Sequence, residues 1–181
     1  MNTQNNKRKK ESIERIEKVF LDLLQTQEMA DISVSTICKR AGLNRTTFYA
    51  NYTDLYGLAD SIRDKLENNL SELYQEEITQ GFNSNDYLKL FRHIKENQIF
   101  YKTYFKLGYD NNYQIFTYDT NLARQYFQNR FIEYHMEFFK SGITTIIKLW
   151  LKNGCKESPE EMEQIIKSEY QGREKAFSGK E

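Results

Sequence analysis

The stretch Ile32–Leu58, ISVSTICKRAGLNRTTFYANYTDLYGL, decides how the rest of the chain is read. Ser33 is a good N-cap, and Val34, Ile37, Cys38 and Ala41 then share one inward face, so the pattern predicts a short helix from Ser33 to Arg40 or Ala41. Gly42 follows, and glycine tolerates the positive φ of a sharp turn. Asn44 caps another short helix over about 45–51. Two short helices separated by about four residues have helix-turn-helix spacing, and the small residues in the turn let them cross closely. The second helix presents Arg45, Thr46, Thr47 and Tyr49 near its N-terminal end, which in this motif enters the major groove of DNA. Arg45 suits a guanine edge or a phosphate, and Thr46 and Thr47 suit a thymine methyl or a phosphate oxygen.

Upstream, Ile13, Ile16, Val19, Phe20, Leu23 and Leu24 recur at three- and four-residue spacing, which predicts an amphipathic first helix. It opens on the basic run Lys7, Arg8, Lys9, Lys10. Residues 1–53 carry nine Lys or Arg against six Asp or Glu, and residues 54–181 carry 17 against 20. A positive N-terminal part on a neutral chain fits a nucleic-acid-facing end, although basic ends also occur as plain solvated tails. Lys9, Lys10 and Ser33 complete the candidate DNA-contacting set.

Downstream, Leu55, Leu58, Ile62, Leu66, Leu70, Leu73 and Ile78 mark a long fourth helix from Thr53 or Asp54 to near Gly81. Ser84 or Asn85 starts a fifth, with Leu88, Phe91 and Ile94 buried, and Asn97 starts a sixth that stops at Gly108. Residues 109–120 read as a loop with a short turn. Helical period resumes at Asn121 and continues through Phe131, Tyr134 and Phe138 to Asn153 and Gly154. Ser158-Pro159-Glu160-Glu161 is a capping-box sequence with proline at the first helical position, opening a last helix whose end, Gly172–Glu181, is polar and frays. One proline and eight glycines in 181 residues agree with an all-α chain.

Several function classes find no support. Cys38 and Cys155 are too few and too far apart for a disulfide framework, and no Cys/His spacing suits a metal. Cys155 follows a glycine at a helix end, where an exposed thiol would have only Lys152 and Lys156 to lower its pKa for a redox role. His93 and His135 read as surface or satisfied histidines. No unbroken apolar stretch marks a leader or a membrane span, so a cytoplasmic location is expected. No nucleophile–base arrangement or phosphate loop is evident, so an enzyme is not expected, nor is a cofactor.

The run TICKRAGLNRTTFYANY, residues 36–52, resembles the signature of the TetR family of transcriptional regulators, over about the first 58 residues. The resemblance implies that Phe48 is buried while Thr47, Tyr49 and Tyr52 lie near the DNA backbone. One position departs from it: Leu55 stands where the family usually has a lysine that approaches a phosphate. Residues 126–170 resemble the last two helices of the branch that includes dihydroxyacetone-kinase regulators, and this implies that both helices pair with their symmetry mates in a dimer. Phe138, Ile143, Ile146, Ile147 and Trp150, with Met162, Ile165 and Ile166, supply apolar faces for that dimer interface. The aromatic group Phe91, Phe100, Tyr101, Tyr104, Phe105, Tyr109, Tyr113 and Phe116 reads either as packed core or as an effector pocket, which the resemblance implies. Gly142 marks either a close helix crossing at the interface or a helix break.

The expected organisation is a three-helix DNA-binding domain over residues 1–53 and a helical dimerisation and effector-binding domain over 54–181. The function expected is a homodimeric repressor that binds a pseudo-palindromic operator in double-stranded DNA and responds to a small molecule. The alternatives are a coregulator of the same fold that acts through protein contacts, and a small helical enzyme.

Overall fold

A computed structural model describes residues 3–80, 86–111, 124 and 127–170. Among these, every regular element is helical. The first is α1, Thr3–Leu24, so the basic run is part of a helix and not a tail. A 3₁₀ turn at Met29–Asp31 leads to α2, Val34–Ala41. Ser33 caps α2, its Oγ accepting from Thr36 N at 3.1 Å, and Gly42 closes the helix in the left-handed region at φ 64°. α3, Arg45–Tyr49, is held by Asn44, whose Oδ1 accepts from Thr47 N at 2.7 Å and from Thr47 Oγ1 at 2.8 Å. α4, Leu55–Leu73, starts behind Asp54, whose carboxylate accepts from Gly57 N at 2.8 Å. The remaining helices are α5 (Gln75–Gln80), α6 (Tyr87–Glu96), α7 (Gln98–Lys106), α8 (Ile132–Lys152) and α9 (Pro159–Tyr170).

These helices enclose two cores. The head core gathers Ile16, Phe20, Leu23 and Leu24 of α1 with Ile37, Cys38 and Phe48, and it continues into α4 through Leu58, Ala59 and Ile62. The second core begins one turn later at Leu66 and takes in α6, α7, α8 and α9 around Phe91, Tyr101, Tyr104, Ile147 and Trp150. Phe100 and Tyr109 pack against both. Phe91 meets Trp150 edge-to-face at 5.5 Å, and the Trp150 indole N–H donates to Glu157 O at 3.3 Å. Truncating a buried ring of this size costs about 3–5 kcal/mol.

Several sequence expectations need correction. The fourth helix does not run unbroken to Gly81: it stops at Leu73, and α5 begins after Tyr74. Asn68, Asn69 and Ser71 are weak helix formers that thin its last turns, and Tyr74 is drawn off by a hydrogen bond from its hydroxyl to Asp86 O at 3.1 Å. α6 is capped by Asp86, through Lys89 N at 3.1 Å, and not by Ser84 or Asn85, which lie outside the described residues. Asn97 stands before α7, but its amide donates back to His93 O at 2.9 Å and does not cap the helix it precedes. The continuous helix from Asn121 is interrupted where Gln128, Asn129 and Phe131 all take positive φ, and α8 starts at Ile132. Within α8, Gly142 breaks nothing. The capping box forms as read: Ser158 N donates to Glu161 Oε2 at 2.6 Å and Glu161 N to Ser158 Oγ at 3.1 Å. Cys155 is buried, and burial pushes its thiol pKa up, which removes the chemistry a redox role needs. Residues 172–181 lie outside the described residues.

His93 is satisfied: its Nδ1 shares a hydrogen bond with the Tyr101 hydroxyl at 2.8 Å. Desolvation pushes the His93 pKa below the ordinary histidine value, against the opposing pull of Glu96. Such a group binds fewer protons folded than unfolded. Stability is therefore full above the ordinary histidine pKa of about 6.5 and falls as pH is lowered through it. Thermal melts taken from about pH 8 to pH 5 should show that fall, and His93→Gln should flatten it. Parallel pH profiles for the two proteins would rule this assignment out.

Candidate nucleic-acid interface

Capping places α3 as a short, exposed rod. With its first turn fixed by Asn44 and its inner side anchored by Phe48, the other side chains of α3 point outward. Arg45 and Thr46 are exposed, Tyr49 is 50% exposed, and Thr47 is half-buried with its hydroxyl engaged by Asn44. Arg45 and Tyr49, one turn apart, stand side by side, with the guanidinium carbon 5.9 Å from the ring centre. The nearby Tyr49 side chain raises the guanidinium pKa above its ordinary value. On the opposite flank of α3 lies a cleft of about 450 Å³, lined by Arg8, Lys9 and Ser12 of α1 and by Asn44, Thr46, Thr47, Ala50 and Asn51. Two cations, Arg8 and Lys9, thus face one open furrow beside the Thr46 hydroxyl, a charge suited to a phosphate backbone, while the Ser12 and Thr47 hydroxyls there are engaged by Arg8 O and Asn44 Oδ1.

Other sequence-predicted residues are placed differently. Lys10 is exposed on α1 and pairs loosely with Glu14 at 3.9 Å, outside the cleft lining. Ser33 is exposed, but its hydroxyl serves as the cap of α2. Leu55 is half-buried against the head core, and the neighbouring Tyr56 is turned out to solvent. Tyr52 is not a surface residue. It is 8% exposed, its ring packs 5.5 Å from Phe48, and its hydroxyl donates to Glu17 Oε1 at 2.9 Å. Burial and the Glu17 carboxylate push its phenol pKa up, so the hydroxyl stays protonated. The same carboxylate receives Lys65 Nζ of α4 on both oxygens, at 2.5 and 2.7 Å.

The aromatic residues of the second core are packed against one another. Phe91, Tyr101 and Tyr104 are buried, and Tyr104 touches both Phe105 and Tyr109 at 5.7 Å. Beside them, between Arg63, Leu66, Thr103 and Tyr109, the structure leaves a gap of about 10 Å³, the size of one water. Tyr113 and Phe116 lie outside the described residues. The residues expected at a dimer interface divide into two sets. Ile143, Ile147, Trp150, Met162 and Ile166 are buried in the protomer's own core, and Ile146 packs partly against it. Phe138 and Ile165 face outward, joined by Tyr134 and Leu149. α8 is apolar on two sides, and periodicity does not say which side enters the chain's own core.

Asn44, Arg8, Ser12 and Asn51 line the cleft without having been assigned to it. Arg8 was legible as part of the basic run. The others carry no signal until α1 and α3 are brought together. Glu17 had one: it is an acid in register with Phe20, Leu21 and Leu24 on a buried stripe, which calls for a partner.

A helix-turn-helix head joined by a long helix to an all-helical body is the arrangement that the sequence resemblance to the TetR family implies. Residues 83–170 match the family model described as "Transcriptional regulator C-terminal region", TetR_C_8. It is 36% identical over 101 residues to the HTH-type dhaKLM operon transcriptional activator DhaS of Lactococcus lactis subsp. lactis (strain IL1403), a match covering 56% of this chain and 51% of that protein. The match therefore spans about half the length of that relative. The solved structure of a dihydroxyacetone kinase operon activator, DhaS, is 24% identical and covers 92% of this chain and 97% of its own, with a TM-score of 0.48. Among the described residues no helix is long and apolar enough to cross a membrane, and no cluster of His, Cys, Asp and Glu is arranged for a metal.

Tyr52→Phe should keep the ring packing and remove one donor from a buried carboxylate. A hydrogen bond to a charged group contributes about 1.5–3 kcal/mol, so a denaturant titration should lose that amount. An unchanged midpoint and slope would show that the hydroxyl contributes nothing to stability.

Proposed function

We propose that this protein is a sequence-specific DNA-binding transcriptional regulator that works as a homodimer. One observation carries the reading: Arg45, Thr46 and Tyr49 are exposed at the start of a capped helix whose flank forms a furrow with Arg8 and Lys9. In this arrangement Arg45 reads a base edge, while Tyr49 and the furrow hold phosphates and fix the register. The dimer forms through the outward side of α8 and α9, where Phe138 is 63% exposed and Leu149 56%. At Gly142 nothing lies within 4 Å of where a Cβ would stand, which leaves room for a second helix to come close.

Regulation follows from geometry. Two heads carried by two α4 helices must match half-sites on one side of the duplex, so any shift of α4 alters the fit. A small molecule entering the second core would have to separate aromatic rings that now touch, because the gap beside them admits about one water. The relative named above is an activator, and activation is for that reason the preferred sign here over repression. The inward packing of Leu55, where the family has a lysine, favours a second reading: a coregulator that acts through protein contacts.

Duplexes selected from a randomised library by the purified protein separate the two. The DNA-binding reading expects selection, with affinity that falls steeply with salt. Arg45→Ala should then cost about 1–3 kcal/mol and relax preference at one base pair per half-site. Tyr49→Phe should cost about 1 kcal/mol on all duplexes alike. Failure to enrich any sequence moves the conclusion to the coregulator.

The dimer is tested separately. Light scattering should give about twice 21.7 kDa for the wild type. Phe138→Glu combined with Leu149→Glu should return the mass to 21.7 kDa with unchanged circular dichroism. A doubly substituted protein that remains dimeric places the interface elsewhere.

A further inference from the structure

Lys106 is the last residue of α7, yet its ammonium serves another helix. Nζ donates to Leu24 O at 2.9 Å and to Gln27 O at 2.8 Å, and it pairs with Glu28 Oε1 at 3.1 Å. Leu24 ends α1, and its carbonyl is one of those a helix leaves without an internal partner. The negative end of the helix dipole lies there too, so a cation is favoured. An ammonium has three donors, and here each has an acceptor. The Lys106 side chain is 28% exposed, so water competes for these contacts only in part.

The surroundings make this more than a surface pair. Leu107 lies against the head core, Phe100 packs against both cores, and the Tyr109 hydroxyl donates to Asp60 Oδ1 of α4 at 3.2 Å. The end of α7 therefore touches α1 and α4 together. α1 has a second polar tie, from Glu17 to Lys65 of α4. Glu17 and Leu24 are seven residues apart on α1, about 10 Å along its axis. A rod held at one point can swing, whereas a rod held at two points about 10 Å apart keeps its angle.

We propose that Lys106 is a positioning residue for DNA binding: it fixes the tilt of the head on the body, and with it the half-site spacing that a dimer accepts. The proposal rests on the dimeric DNA-binding reading above. Without the ammonium, Gln27 O can turn to water while Leu24 O, on a fully buried residue, loses its partner; the apolar core keeps the head folded, and its angle is then left to the Phe100 and Leu107 packing and the Glu17–Lys65 pair. A single head grips a single half-site at any tilt. Two heads on one duplex do not.

The test uses full-length protein and the half-site that the wild type selects from a randomised library, built into duplexes with one half-site or with two at varied spacing. Wild type should show a sharp optimum in spacing. Lys106→Met keeps the aliphatic stem and loses the ammonium. It should lose about fivefold at the optimal spacing, flatten the spacing profile, and change single half-site affinity by less than about twofold. Lys106→Arg, whose guanidinium donates to the same carbonyls, should restore the profile. A Lys106→Met profile parallel to the wild type overturns the proposal, and so does an equal loss on single and paired half-sites, which marks a role in stability alone. A second readout needs no DNA: spin labels on Lys39→Cys, exposed on α2, report the head-to-head distance in the dimer. That distribution should broaden with Lys106→Met and narrow again with Lys106→Arg, and an unchanged width overturns the proposal. If wild type selects no duplex, the DNA-binding reading falls, and the label distances still decide whether Lys106 holds the head.

Discussion

A single carboxylate inside the head holds together segments that apolar packing alone would leave free to slide. Removing a carboxylate from water costs several kcal/mol unless cations and donors replace the lost hydration. Glu17 meets that demand with Lys65 on both oxygens and the Tyr52 hydroxyl on one. The three residues lie on α1, in the turn after α3, and on α4. Leucine against leucine tolerates small shifts, whereas this arrangement accepts one register. The ring of Tyr52 then backs Phe48, and Phe48 is the inner anchor of α3. The direction in which Arg45 and Tyr49 project thus depends on an ionic contact buried behind them.

What the sequence made legible is largely what local chemistry decides. Ser33, Gly42, Asn44 and the Ser158–Glu161 box act within four residues of themselves, and each behaves in the structure as its type predicts. The harder residues answer to partners far along the chain. Tyr52 carries an aromatic ring that suits a DNA backbone or a core equally well, and what decides between them is Glu17, 35 residues away. The long-range pull of Asp86 on Tyr74 ends α4 sooner than its leucine stripe suggests. In α8 the apolar stripe runs on two sides, and only the packing of α7 and α6 against it puts Ile147 in the core and leaves Leu149 exposed.

The aromatic residues follow the same logic. Their composition suits a pocket, but the edge-to-face contacts among Tyr104, Phe105 and Tyr109 use the ring surfaces that a ligand would need. Polar ties close the body around them. Arg92 of α6 reaches Glu160 of α9 at 2.8 Å, and Lys148 of α8 reaches Asp110 at 2.5 Å while lying over the Phe105 ring. The second core is thereby held from both sides, and α4 joins it to the head without a loop.

That join bears on how such a protein exchanges parts. The head core does not end where α4 begins: Leu58, Ala59 and Ile62 complete it from the first two turns of the long helix. A recombination that set a foreign head in front of residue 54 would bring α1, α2 and α3 shaped to another helix and lay them on this one. The seam that keeps apolar contacts intact falls after Ile62. Even there the newcomer must supply a partner for Lys65, the next polar residue to turn toward α1. Heads of this design are exchanged together with the beginning of their own connecting helix, or they meet a mismatched core.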